Sequence, residues 1–190
     1  MKRILIAGVL GGVAMFMWGA FCHMVLPISS MAIKSLPNET AIVPLLQRDI
    51  KEPGLYFFPG MDMSATLTEE QQREWEARYI AGPIGILVYQ PTGYPPLSAR
   101  LLLTELISDI LAAFIVAWLL SLIGVNLARG LIIGGALGLF AWLTLSVSYW
   151  NWYGFPKVYI LGEAVDQIIG WALAGLVIAL IVRRRVAFGV

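Results

Sequence analysis

The chain has little of what soluble enzymes use. Its 190 residues contain one cysteine, Cys22, and one histidine, His23. A single thiol cannot close an intramolecular disulfide, which argues against dithiol redox chemistry within the chain. A single imidazole excludes a haem held between two histidines of the same chain. There is no glycine-rich nucleotide loop, no paired-cysteine metal motif and no nucleophile elbow. The sequence therefore points away from an enzyme and from nucleic acid, and it names no cofactor. Charge is scarce too: Asp, Glu, Lys and Arg make up 13% of the residues, about half the share of roughly 25% usual in soluble domains.

Apolar residues fill the space so vacated, at 59% of the chain with a mean hydropathy of +0.79. They gather in four blocks, at 4–28, 101–125, 131–147 and 158–182. Blocks of roughly 17 to 25 residues cross about 30 Å of hydrocarbon as helices, and lipid leaves no backbone group to be satisfied by water. The expected fold is an all-α membrane protein with four transmembrane helices and a small α/β cap between the first two. Residues 1–28 form the first span, 29–100 the cap, and 101–190 the other spans with a short tail.

Basic residues near span ends are retained in the cytoplasm. With the N-terminus inside, Lys2, Arg3, Arg129, Arg183, Arg184 and Arg185 all face the cytoplasm with no acid among them. Both termini are thus expected inside and 29–100 outside, in a bacterial inner or a plasma membrane. The first apolar run is too long for an ordinary signal h-region. Bulky Phe21 before Cys22 also argues against a lipoprotein signal, so a plain membrane anchor is expected.

Within 29–100, the stretch 40–50 is apolar at helical spacing, and Pro44 suits a helix only if it starts close before. Thr68 followed by Gln71 reads as a capping box opening a polar helix through about Tyr79. Two short runs, 55–58 and 84–89, carry branched and aromatic residues between Pro and Gly and could pair as a sheet. The Asn38-Glu39-Thr40 triplet matches a glycosylation sequon, a pattern common by chance.

Spans one and three look alike. Arg3 precedes Gly8 and Gly12 as Arg129 precedes Gly134 and Gly138, and each pair is followed by an aromatic couple, Phe16 with Trp18 and Phe140 with Trp142. Acids also recur in spans two and four. Two helical hairpins in parallel repeat would produce these matches, although glycines four apart also serve close helix packing in any bundle.

Five ionisable residues lie within the spans: His23, Glu105, Asp109, Glu163 and Asp166. A charge there needs a partner or water. His23, Glu105 and Glu163 are expected roughly 7 to 8 Å below the outer boundary at 1.5 Å per residue, with Asp109 and Asp166 a turn deeper. Each acidic pair shares one helical face, so four carboxylates and an imidazole could converge, with Ser146, Ser148, Tyr149, Asn151 and Tyr153 of span three at the same level. Four carboxylates cannot all stay ionised in such a site without a cation. They would be structural protonated acids, a cation or proton site, or part of a metal or quinone site. The Glu-x-x-His motif of carboxylate-bridged metals is absent from the sequence. Tyr149, Trp150, Trp152 and Tyr153 form an aromatic rim of the kind that settles at membrane interfaces, or a ligand platform beside the acids.

The function expected first is an accessory or scaffold subunit of a membrane assembly. Its partners would be the lipid bilayer and a membrane-protein partner or a second copy of the chain. A cation- or proton-coupled carrier built on the five ionisable residues, and a metal- or quinone-binding redox protein, are the alternatives.

Overall fold

In the computed structural model, residues 1–26, 28, 32–61, 64 and 66–183 are described. They fall into two compact units, one of 1–34 with 96–190 and one of 35–95. Among the described residues, four helices are long and apolar enough to cross a membrane, as in an integral membrane protein. These are α1 (Lys2–Met24), α4 (Ala99–Ile123), a composite third helix and α7 (Lys157–Val182). The composite consists of α5 (Leu127–Ala141), a π-helical turn (Trp142–Ser146) and α6 (Val147–Tyr153).

The ends of these helices have local causes. The Ser98 hydroxyl accepts from the Leu101 N–H at the start of α4, and the Asn126 side chain accepts from the Arg129 N–H at 2.9 Å at the start of α5. Gly124 and Gly154 terminate α4 and α6 at φ +62° and +70°, a left-handed conformation that residues with a Cβ rarely adopt. Inside the third span the Thr144 hydroxyl, within the π turn, donates back to the Phe140 carbonyl at 2.8 Å. Such back-bonding commonly accompanies a local distortion of the helix.

Glycine decides how the helices meet. A Cβ at Gly8 would enter the Phe114 ring and one at Gly12 the backbone of Ile110, which seats α1 on α4. Gly134 lies against the Trp171 carbonyl and Gly138 against that of Gln167, which seats α5 on α7. Gly11 faces Ile178, and Gly170 faces Met15 and Trp18, which brings α1 onto α7. All these pairs run antiparallel, so Lys2, Arg3, Arg129 and Arg183 share one end of the bundle, here called the basic end. The core near that end consists of Ala7, Ala113, Val116, Ala117, Leu120, Val125, Ile178 and Ala179. Arg184 and Arg185 lie outside the described residues.

Several boundaries differ from the sequence expectation. Helix α1 stops at Met24 rather than near residue 28, which puts His23 in its last turn rather than well inside a span. The third span starts at Leu127 and runs to Tyr153, so Tyr149, Trp150, Trp152 and Tyr153 are helical and do not form a loop.

The second unit holds α2 (Glu39–Asp49), β1 (Gly54–Phe58), α3 (Glu69–Ala81) and β2 (Gly85–Tyr89). The strands pair antiparallel, from Gly54 opposite Tyr89 to Phe58 opposite Gly85. Thr68 and Gln71 form the reciprocal capping box of α3, with Thr68 N–H donating to Gln71 Oε1 at 2.9 Å. Trp75 of α3 donates to the Pro59 carbonyl at 3.0 Å, and Tyr79 stacks on Phe57 of β1. Asn38 precedes α2 in the left-handed region, and Pro44 sits in the second turn of that helix, where its missing N–H costs a backbone bond. In the last turn of α2, the Arg48 guanidinium binds Asp49 at 2.7 and 2.9 Å and holds that exposed carboxyl below the usual carboxylate range.

Candidate functional site

Helix α1 has its close-packing glycines, Gly8, Gly11 and Gly12, in the half nearer the basic end. Beyond Met15 its face toward α4 carries Gly19, where a Cβ would meet nothing within 4 Å. Helices α1 and α4 are backbone-close at Gly8 and Gly12 and leave open space at Gly19. A cavity of about 600 Å³ occupies the gap between α1, α4 and α7.

Helical spacing sets its lining. Met15, Gly19 and His23 come from one row of α1, with Phe16 and Ala20 from the adjacent row. Helix α4 contributes Leu101, Glu105, Ser108, Asp109 and Ala112, and α7 contributes Asp166, Gln167 and Trp171. Neither Lys nor Arg is among the lining residues. Three carboxylates and an imidazole thus share a space whose other walls are mostly apolar, with Ser108 and Gln167 the remaining polar side chains.

Asp166 is the most enclosed of them, with 6% of its surface exposed. Its Oδ2 lies 3.8 Å from His23 Nε2, beyond direct hydrogen-bonding range. Its Oδ1 is buried without a hydrogen-bond partner, an unusual condition for a carboxylate oxygen. The Trp18 indole donates at 3.1 Å to the backbone carbonyl of the same residue, which fixes α7 against α1 at the acid. His23 is open, with about half its side chain exposed at 51%. Glu105 is exposed and Asp109 half-buried.

Of the five ionisable residues singled out in the sequence, His23, Glu105, Asp109 and Asp166 line this cavity and Glu163 does not. Glu163 is half-buried and close enough to Cys22 and Tyr159 to act on both electrostatically. Cys22 itself is fully buried. Span three lies apart from the cavity: none of Ser146, Ser148, Tyr149, Asn151 or Tyr153 lines it. Ser148 instead donates to the Thr144 carbonyl of its own helix. The aromatic rim packs on itself and on the start of α7, with Tyr149 stacked on Phe155 and Lys157 Nζ 6.0 Å from the Trp150 ring centre.

Sequence reasoning missed Trp18, Gln167 and Trp171. The available signal was spacing: Trp171 follows Gln167 by four and Asp166 by five, on the α7 face that carries the acid. The gap at Gly19 was not signalled at all, since glycine in a span reads as close packing.

One numerical relation links the halves of the bundle. The partners of Gly8 and Gly12 are Phe114 and Ile110; those of Gly134 and Gly138 are Trp171 and Gln167. The partners are displaced by 57 positions in both cases, and so are the residues just before the second pair, Asp109 and Asp166. No three His, Cys, Asp or Glu side chains among the described residues stand where they could hold a metal ion. No protein family, curated protein or solved structure matches the chain.

Proposed function

We propose that this is a small membrane carrier whose working site is the acid-lined cavity between α1, α4 and α7, loaded by a cation or proton from the outer side. The observation that carries the reading is Asp166, a nearly buried carboxylate with one oxygen unpartnered, in a cavity with no basic residue except His23. An ionised carboxylate in such surroundings needs a compensating positive charge, which a bound proton supplies as well as a cation does. The matched 57-residue displacement supports two hairpins in parallel repeat, with Asp109 and Asp166 as equivalent residues of the two halves. The basic end belongs in the cytoplasm by its Lys and Arg content, and the cavity then opens in the outer leaflet.

An accessory or scaffold role, the first expectation from sequence, rests on the lack of a chemical motif, on glycine-rich spans that would serve any bundle, and on residues 29–100 as an interaction surface. A metal-centred redox role lacks a donor trio among the described residues.

The reading is tested by reconstituting the protein in liposomes on a solid support and recording current after jumps in pH or cation concentration. Wild type should give a transient current that Asp166→Asn loses. No current from folded wild type across protons, inorganic cations and organic cations would contradict it.

A further inference from the structure

The cavity also constrains the kind of cation. Its volume of about 600 Å³ is that of a site for a small organic molecule, within the usual range of roughly 300 to 1,000 Å³. A bare ion would leave most of it to water. Its acids are spread over two helices and do not converge as a coordination shell, since no metal-holding trio exists among the described residues. Apart from Ser108 and Gln167, the rest of the wall is apolar or aromatic, including Met15, Phe16 and Trp171. An aromatic face attracts a soft, weakly hydrated cation more than it does a strongly hydrated one.

We infer that the cavity binds a monovalent organic cation with an apolar body, of the quaternary ammonium or phosphonium class, its charge directed to Asp166 and Asp109 and its body against Phe16 and Trp171. This rests on the carrier reading and narrows it. The same chemistry is offered by a free solute and by the choline headgroup of a lipid, and the two sources are separable by experiment.

The test uses the full chain in neutral maltoside micelles and a matched pair of probes, tetraphenylphosphonium and tetraphenylborate, which share a shape and differ in the sign of charge. Wild type should bind the cation saturably at one per chain and show no saturable binding of the anion. Asp166→Asn should weaken the cation by about tenfold or more, as expected on removing one of two paired charges from an enclosed site. Gly19→Leu narrows the cavity while leaving every acid in the sequence. It should abolish cation binding while leaving the melting temperature unchanged, which keeps the test valid if Asp166→Asn folds poorly.

Equal binding of both probes, or cation affinity unchanged in both variants, would overturn the inference. Phosphatidylcholine nanodiscs that suppress phosphonium binding, where phosphatidylglycerol nanodiscs do not, would identify the lipid headgroup as the source; equal binding in both would identify a free solute. If protons or inorganic cations drive current but phosphonium does not bind, the organic-cation inference fails and the carrier reading stands. If neither occurs, both fail.

Discussion

Gly12, Gly138 and Gly19 are chemically identical and do different work. A methyl at Gly12 would enter the backbone of Ile110, and one at Gly138 the carbonyl of Gln167, whereas one at Gly19 meets open space. Neither backbone can yield as a side-chain tip would. Gly12→Ala and Gly138→Ala should therefore destabilise the bundle by about 1–3 kcal/mol, the usual cost of overpacking, while Gly19→Ala should be neutral. Thermal unfolding in detergent distinguishes the three, and an equal effect at all of them would contradict the packing described. The same contrast explains what was legible at this scale. The acids were conspicuous because charge in an apolar run is rare. Which glycine closes an interface and which opens a cavity depends on the facing helix, and that information is nonlocal.

At the scale of elements, hydropathy marked all four spans but not their ends. Helix α1 ends at Met24 although Val25 and Leu26 are apolar; Pro27 in the sequence disfavours helix in the residue before it. The third span begins at Leu127 because Asn126 caps it, a polar signal just after the second apolar block. Its aromatic end stays helical until Gly154 supplies the left-handed stop. In the second unit, local chemistry was more informative, since the Thr68 and Gln71 box sits at the start of α3. Thr68→Ala removes the acceptor for the Gln71 N–H and should cost about 1 kcal/mol. The expected result is faster amide exchange in the first turn of α3 with exchange in β1 and β2 little changed. Unaltered protection at Gln71 and Gln72 would show that the cap contributes nothing.

For the whole molecule, the division is between a half near the basic end, closed by glycine and alanine, and an opposite half where α1, α4 and α7 surround a cavity lined by acids. Sequence depth alone suggested a larger cluster, of five ionisable groups with span three beside it. Rotation about the helix axes decides which groups line the cavity: Glu163, three residues from Asp166, does not line it, and α5 packs on another side of α7. Depth follows from counting residues, whereas facing follows from which helices pack together. The central claim is that this opposite half holds an outward-open cavity of negative potential. It is tested most directly by placing one cysteine at Gly19 in a Cys22→Ala background and measuring its modification in sealed proteoliposomes. The reagents are trimethylammonium-ethyl and sulfonatoethyl methanethiosulfonate, of similar size and opposite charge. The account predicts modification from the outer side, at least about tenfold faster with the cationic reagent and slowed in Asp166→Asn, since a cleft of one sign concentrates counter-ions. Equal rates for the two reagents, or a faster reaction with the anion, would contradict it.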